Sequence, residues 1–222
     1  MTDDDTFALI RDRLFTAVIG DVMDKAGLTR QFLPPEIRAL RPDDVLVGRA
    51  MPVLEADIPP ASGNGTGEDF GLMFRALDDL KRGEVYVCTG ASPLYALWGG
   101  LMSTRAAALG AVGAVLDGYH RDTHEILALG FPVFSAGAYA QDQRLRGKVT
   151  DFRLPIAFRN GCRVNPGDVI VGDIDGVLTI PAEHLADIVA AAIAKVDGEA
   201  NVRRMILAGD RTEDVFNKTG IM

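Results

Sequence analysis

The sequence predicts an α/β fold with a partly parallel sheet. Between residues 70 and 134, apolar stripes of helical period alternate with short β-type runs that are typical of buried strands. Glycines or prolines separate the two kinds of segment. In the last third of the chain, short apolar runs are joined by turn dipeptides. Because helices that alternate with strands usually cross over a parallel sheet, we expect a domain of this class.

The first part of the chain predicts one helix followed by two short strands. The helix carries apolar residues at helical spacing, and Gly27 stands where a helix commonly ends. These apolar residues are Phe7, Ile10, Leu14, Ala17 and Val18. β-Type runs follow at residues 45–47 and 50–54, separated by Gly48. The glycine-rich residues 62–67 predict a flexible loop.

The middle of the chain predicts three helices in alternation with three strands. The expected helices cover residues 70–80, a segment that begins near Gly99 and Gly100, and a segment that follows the turn at residues 117–122 and ends at residue 129. The expected strands cover residues 85–87, 114–116 and 132–134. Since the strands are short and apolar, we expect them to be buried in the sheet.

The last third predicts short strands and then a long helix. The strands are expected at residues 156–158, 162–164, 169–171 and 177–180, and the turns between them at Asn160-Gly161, Pro166-Gly167 and Asp175-Gly176. Such dipeptides favour tight hairpins. A helical stripe runs through residues 185–196, and Gly198 is expected to interrupt it. We therefore predict a single domain over residues 1–222, with a core at about 14–197 and a C-terminal arm at about 198–222.

The composition indicates in which cellular compartment the protein is expected and which kinds of binding partner are disfavoured. The chain has 222 residues, of which 48% are apolar and 24% charged, and a net charge of −8. No apolar stretch reaches the ~20 residues that a membrane helix requires. The acidic start of the chain and its two cysteines predict a cytoplasmic protein without disulfides. Direct nucleic-acid binding is disfavoured because no cluster of basic and aromatic residues is present.

The residues that could carry chemistry are concentrated in the turn before the third middle helix. Arg121 and Asp122 follow an apolar strand, at the sheet edge where ligands of α/β proteins collect. A guanidinium matches a carboxylate through two parallel hydrogen bonds, and an aspartate can hold a hard divalent cation. Two structural alternatives are equally open: Asp122 caps the helix with Glu125 three residues on, and Arg121 forms a surface ion pair.

A glycine pair offers a second candidate site. Gly99 and Gly100 precede a helix that continues with Leu101 and Met102, and backbone amides at a helix start can face an anion. A plain turn is the alternative explanation of these glycines. His120 and His124 are candidates for proton transfer on residue type alone.

Ordered motifs along most of the chain resemble the RraA-like family. Residues 19–27 read Ile-Gly-Asp-Val-Met-Asp-Lys-Ala-Gly, and residues 117–122 read Asp-Gly-Tyr-His-Arg-Asp. Residues 130–134 read Gly-Phe-Pro-Val-Phe, and residues 166–177 read Pro-Gly-Asp-Val-Ile-Val-Gly-Asp-Ile-Asp-Gly-Val. This family holds 4-hydroxy-4-methyl-2-oxoglutarate / 4-carboxy-4-hydroxy-2-oxoadipate aldolases and regulators of ribonuclease E.

The resemblance implies a fold, an assembly and a site. The fold is a swivelling β/β/α domain with helical N- and C-terminal arms, assembled as a homotrimer or hexamer. Asp122 is implied as the ligand of a Mg²⁺ or Mn²⁺ ion, and Arg121 as the contact of the pyruvyl part of a 2-oxo acid substrate. The backbone of Gly99, Gly100, Leu101 and Met102 is implied to receive the substrate carboxylate. Glu199 is the candidate for a contribution from a neighbouring subunit.

The function implied by the resemblance is that of a class II aldolase, with oxaloacetate decarboxylation as a related activity. The chain departs from the aldolases at Gly100, where they carry an acidic residue. His120 and His124 are the candidates for replacing that residue. The alternatives are a protein-binding regulator of ribonuclease E that does not catalyse, and a protein that only binds small acids.

Overall fold

The computed structural model describes residues 2–59 and 67–221. Most of the predicted glycine-rich loop, residues 62–66, lies outside the described residues. The α-helices are α1 (Asp3–Arg13), α2 (Thr16–Lys25), α3 (Met73–Asp78), α4 (Gly100–Ala108), α5 (Thr123–Leu129), α6 (Leu185–Leu207) and α7 (Thr212–Thr219). Short 3-10 helices cover Gly67–Phe70 and Ala182–His184.

The strands form one large sheet and two small ones. They are β1 (Arg38–Ala39), β2 (Leu46–Asp57), β3 (Glu84–Thr89), β4 (Ala96–Trp98), β5 (Gly113–Leu116), β6 (Tyr119–His120), β7 (Val133–Ser135), β8 (Gly147–Phe152), β9 (Ile156–Ala157), β10 (Arg163–Val164), β11 (Val169–Asp173) and β12 (Gly176–Ile180). Two-stranded sheets join β4 to β6 and β9 to β10.

The large sheet is mixed and nearly closes into a barrel. Its order is β1-β7-β5-β3-β2-β11-β12, and β8 pairs with the second half of β2. The central strands β2, β3, β5 and β7 are parallel, whereas the outer ones pair in antiparallel fashion. Before β1, the amide of Leu33 donates to the carbonyl of Val177 in β12 at 2.9 Å. This bond draws the two ends of the sheet together. The parallel central strands, with helices between them along the chain, confirm the predicted α/β class.

Alternate residues of each strand enter different hydrophobic clusters. Val85 and Val87 of β3 pack inside the curled sheet, while Tyr86 and Cys88 face the layer of α3, α4 and α5. On the other flank, β11 and β12 pack against α1, α2 and α6. The period of two along a strand is what divides its residues between two cores. The layer of α4 and α5 and the layer of α6 therefore lie on different flanks of the sheet.

Several predicted boundaries at the N-terminal side are wrong. The single N-terminal helix is two helices, because the chain is extended at Leu14 and Phe15 and α2 starts anew. The buried carboxylate of Asp173 in β11 accepts hydrogen bonds from the amide and the hydroxyl of Thr16, both at 2.7 Å. The Asp173 carboxylate thus accepts the hydrogen bond that an N-cap side chain would accept at the start of α2, where Phe15 has no such group. The two predicted strands around Gly48 are one strand, β2. Glycine at this position allows the close approach of Gly83, whose carbonyl oxygen would lie 2.6 Å from a Cβ there.

Further corrections concern the last third. Helix α6 continues through Gly198 without interruption, and Ile221 folds back over that glycine, where a Cβ would lie 2.5 Å from its Cδ1. Pro166-Gly167 joins strands that do not pair, so it is a turn without a hairpin, whereas the other two dipeptides do form hairpins. Strand β8 has no counterpart in the prediction. None of the described helices is long and apolar enough to cross a membrane.

Glu55 makes the stability of this fold depend on pH. Its side chain is buried beside β3, its Oε1 has no hydrogen-bond partner, and burial followed by the charge of Asp57 raises its pKa to about 8. Between the ordinary glutamate pKa of 4.5 and this raised value, the unfolded chain loses the proton that the folded chain retains. The free energy of unfolding should therefore fall by a few kcal/mol, to order of magnitude, from pH 5 to pH 8.

We predict that Glu55→Gln removes most of this decline, because an amide does not ionise. Urea denaturation of both proteins at pH 5 and pH 8 measures it. Glu183→Gln, which changes an exposed carboxylate, serves as the control. A wild-type decline that persists unchanged in Glu55→Gln would contradict the assignment.

Candidate functional site

Two short parallel strands bring the candidate residues together. In the pairing of β4 with β6, Trp98 lies opposite His120, and the amide of Arg121 donates to the carbonyl of Trp98 at 2.9 Å. Gly99 comes directly after β4, and Asp122 comes two residues after β6. Because the two strands are paired and parallel, these two residues lie at the same end of the small sheet. Each then begins a helix, α4 or α5.

Asp122 binds the start of the other helix instead of capping its own. It occupies the N-cap position of α5 in a left-handed conformation, φ 57° and ψ 37°, and its side chain makes no capping hydrogen bond. Its Oδ2 accepts a hydrogen bond from the amide of Gly100 at 3.1 Å. The capping alternative for Asp122 is therefore wrong, and the carboxylate links α5 to α4.

Arg121 forms two long ion pairs with neighbouring carboxylates, as the surface ion-pair alternative expects. Its Nε lies 3.6 Å from Oδ2 of Asp122, and its Nη1 lies 3.4 Å from Oδ1 of Asp142. All three side chains are more than one-third exposed, so water screens these contacts and their net stabilisation is small. The guanidinium keeps donors that a planar anion could use.

A cavity of about 300 Å³ opens beside this pair. One wall is apolar and comes from the segment around α3; it consists of Phe70, Met73, Phe74 and Leu77. The polar end holds Arg121, Asp122, Asp142 and Gln143. A cleft with an apolar wall and a few convergent polar groups is the usual form of a small-molecule site.

Residues that line this cavity carry unsatisfied donors. Gln143 is only 3% exposed, and its Nε2 has no hydrogen-bond partner. Leu101 and Met102, which also line the cavity, are the second and third residues of α4, and within the described chain their amides have no acceptor. Of the four residues proposed to receive a carboxylate, Gly100 already uses its amide for Asp122. The free donors suit an anionic ligand at the positive end of α4.

The two histidines differ in what surrounds them. His120 is buried, its Nδ1 lies 2.7 Å from Oγ of Ser135 and its Nε2 lies 3.0 Å from Oγ1 of Thr123. Burial lowers the pKa of His120, so the neutral ring is favoured. Neither nitrogen is free to exchange a proton with a ligand. His124 is exposed on α5 and does not line the cavity.

Glu199 lies apart from the other candidate residues. It is on α6, which belongs to the helix layer on the other flank of the sheet, and its Oε1 lies 3.7 Å from Nζ of Lys195. Within one chain it does not join Arg121 and Asp122. Its predicted contribution would have to come from another copy of the chain.

The sequence did not predict Asp142 and Gln143 as residues of the site, because their segment carries no periodic pattern. The polar segment after β7 reaches the site through tertiary pairing: the amide of Ala96 in β4 donates to the carbonyl of Gln141 at 2.8 Å. A bridge between Ala96 and Asp142 continues this pairing. No local signal of residue type or spacing distinguishes these two positions from other loop residues.

The oxygen donors fit a divalent cation that keeps much of its water. Within the described residues, no group of three or more His, Cys, Asp or Glu side chains is arranged to enclose a metal ion. Asp122, however, offers a carboxylate on a side chain that is 38% exposed. Mg²⁺ commonly binds proteins through one or two carboxylates and several waters, and Mn²⁺ shares its preference for oxygen. A single carboxylate of this kind would suit a divalent ion only if water supplied most of its other ligands.

Comparison with known proteins confirms the resemblance carried by the motifs. The model of the RraA-like family (Aldolase/RraA) matches residues 16–179. An uncharacterised protein of Methanocaldococcus jannaschii is 39% identical over 153 residues, 67% of this chain and 72% of that protein. A protein of Halalkalibacterium halodurans named "Putative 4-hydroxy-4-methyl-2-oxoglutarate aldolase" is 32% identical over 190 residues, 85% of this chain and 83% of that protein.

A solved structure shows the same fold. Streptomyces coelicolor RraAS2, described as an unusual member of the RNase ES inhibitor RraA protein family, has a TM-score of 0.79 at 22% identity. The match covers 91% of this chain and 97% of that one. At this identity the likeness concerns the fold alone.

The backbone at Asp122 should tolerate an amide but not a branched apolar side chain. We predict that Asp122→Asn changes the free energy of unfolding by less than about 0.5 kcal/mol, because Asn adopts the left-handed conformation readily and keeps an acceptor for Gly100. Asp122→Val should lower it by about 1–3 kcal/mol. Chemical denaturation measures both. Equal stability of the two variants would contradict the role given to the left-handed turn and its hydrogen bond.

Proposed function

Because the chain belongs to the RraA-like family, we propose that it is a divalent-metal-dependent class II aldolase, a carbon–carbon lyase. Its substrate class is a 4-hydroxy-2-oxo acid such as 4-hydroxy-4-methyl-2-oxoglutarate, and a product is pyruvate. One observation carries the proposal: the Arg121 guanidinium and the Asp122 carboxylate lie 3.6 Å apart at the polar end of a cavity with free donors. The name of the Halalkalibacterium halodurans relative supports the choice of substrate.

In this proposal Arg121 binds the 2-oxo acid end of the substrate. Its fork of N–H groups suits two adjacent oxygens, and a lysine could not match both at once. The free amides of Leu101 and Met102 receive the carboxylate at the start of α4.

Asp122 is the residue proposed to hold Mg²⁺ or Mn²⁺. When bound, such an ion polarises the 2-oxo group of the substrate as a Lewis acid. The hydrogen bond from Gly100 fixes the orientation of the carboxylate before any ligand arrives. Preorganisation of this kind lowers the cost of ordering the side chain on binding.

The bond cleavage itself needs stabilisation of negative charge. The proton of the C4 hydroxyl passes to a water molecule, the C3–C4 bond breaks, and its electron pair moves toward the oxygen on C2, which gives the enolate of pyruvate and a carbonyl at C4. Protonation at C3 completes pyruvate. Arg121 stabilises the enolate oxygen more than the neutral carbonyl, which lowers the barrier. Decarboxylation of oxaloacetate passes through the same enolate, so we expect it as a second activity.

The proposal includes an assembly of identical subunits, a homotrimer or hexamer. Leu101, at the start of α4 beside the cavity, is 82% exposed, which leaves an apolar side chain for a neighbouring copy to cover. Glu199 could reach the site only from such a copy.

We predict that Arg121→Ala lowers the rate of pyruvate release about a hundredfold or more, because loss of one charge-stabilising donor typically costs about 3 kcal/mol. Arg121→Lys should fall in between, since it keeps the charge and loses the fork. A coupled assay follows pyruvate from oxaloacetate and from 4-hydroxy-4-methyl-2-oxoglutarate, with and without Mg²⁺. Arg13→Ala, which breaks an exposed ion pair with Asp197, is the matched control.

Wild-type turnover that survives exhaustive chelation would contradict the metal-dependent scheme. Absence of turnover on both substrates, together with inhibition of ribonuclease E by the purified protein, would favour a regulator without catalysis.

A further inference from the structure

We propose that the substrate of this site carries an apolar group on C4 and no second carboxylate, so that cleavage yields pyruvate and an apolar aldehyde or ketone. The inference rests on the proposed function, because it takes Arg121 as the residue that binds the 2-oxo acid end. It narrows the substrate class. 4-Hydroxy-4-methyl-2-oxoglutarate, which has a carboxylate on C4, would be a poorer substrate than an analogue with an apolar group in that place.

The cavity is divided into a polar end and an apolar remainder. Arg121, Asp122, Asp142 and Gln143 form the polar end. The remainder consists of the apolar wall around α3 and of hydrophobic residues from β4 and the start of α4, which include Leu97, Trp98 and Met102. A ligand whose 2-oxo acid end is held by Arg121 would therefore place C4 and its substituents against apolar surface.

Arg121 is the one cationic side chain among the described residues that line this cavity. Residues 60–66 contain neither lysine nor arginine, so that segment offers no further cation. Arg144 comes close in sequence, but it does not line the cavity, and its Nε lies 3.3 Å from Oδ2 of Asp69. A second carboxylate on the substrate would thus find no guanidinium or ammonium group of this chain in the cavity to pair with.

The apolar wall is unfavourable for a carboxylate. The rings of Phe70 and Phe74 pack against each other, with centroids 5.3 Å apart and planes at 57°, and Met73 is nearly buried beside them. The faces of aromatic rings carry partial negative charge, which repels an anion. An unpaired carboxylate would also lose part of its hydration there. Asp142 adds repulsion from the polar end.

The same wall suits a small apolar substituent. Aromatic rings and methionine side chains pack well against both aliphatic and aromatic groups. The volume of about 300 Å³ lies at the lower end of the range for small-molecule sites, about 300–1,000 Å³. Burial of apolar area on the substrate strengthens its binding. We therefore infer a short branched aliphatic group or a single ring on C4.

Binding of two stable analogues to the full-length protein in the presence of Mg²⁺, measured by calorimetry, tests the inference without turnover. The analogues are 2-oxoglutarate and 5-methyl-2-oxohexanoate, which have nearly the same shape. C4 bears a carboxylate in the first and an isopropyl group in the second, and neither has the C4 hydroxyl that cleavage requires. 5-Methyl-2-oxohexanoate should bind about tenfold or more tightly than 2-oxoglutarate.

Variants of Phe74 test whether the apolar wall causes this preference. Phe74→Arg should lower the ratio of the two affinities about fivefold or more, because it replaces apolar contact area by a partner for the carboxylate. Phe74→Leu keeps the wall apolar and should leave the ratio within about twofold of the wild type. Phe216→Arg is the matched control and should not change the ratio. Phe216 is 51% exposed against 48% for Phe74, lies on α7 and does not line the cavity, and its replacement changes the net charge equally.

Pyruvate, as a third ligand, separates failure of this inference from failure of the proposed function. If pyruvate binds but 2-oxoglutarate binds as tightly as 5-methyl-2-oxohexanoate or more tightly, only this inference is overturned. If neither pyruvate nor the two analogues bind, the 2-oxo acid site and the proposed function are overturned with it. Light scattering and thermal unfolding follow the assembly and folding of the variants. Loss of assembly in a folded Phe74→Arg with an unchanged ratio would assign the wall to a contact between subunits and overturn the inference.

Discussion

The site depends on one hydrogen bond, from the amide of Gly100 to the carboxylate of Asp122. It joins the starts of α4 and α5, which the pairing of β4 with β6 has already brought side by side. Two local features make it possible: Gly99 has no side chain in the path of the carboxylate, and Asp122 adopts a left-handed conformation that turns its side chain toward α4. The position of Arg121 follows from the same turn.

The charges around the site determine which ligands it can bind more than the net charge of the whole chain does. The protein carries a net charge of −8, and the site itself is rich in carboxylates, yet the proposed substrate is an anion. The free amides at the start of α4 and the guanidinium of Arg121 provide the positive field on one side. A divalent cation would provide a positive field on the other side of the site, next to the carboxylate of Asp122. With such a cation bound, an acidic site could hold an organic acid, because the ion would interact both with the carboxylates of the protein and with the carboxylate of the substrate.

The sequence predicted the α/β class and the helix and strand that lead into the candidate site, because both rest on local patterns. The helical stripe after Gly99 and the apolar strand before Asp117 became α4 and β5. Long-range contacts decided the rest. The split between α1 and α2 comes from the carboxylate of Asp173, which is distant in sequence from Thr16. The place of Gln143 in the cavity likewise depends on tertiary pairing that no spacing reveals.

A crystal structure of the protein with Mn²⁺ and pyruvate tests the central claim most directly, because the anomalous signal of manganese locates the ion without assumptions. The account predicts manganese at the Asp122 carboxylate, within about 2–2.6 Å or one water away, and the pyruvate carboxylate against Arg121 and the start of α4. Manganese bound elsewhere, with Arg121 closed onto Asp142 and no pyruvate in the cavity, would contradict it.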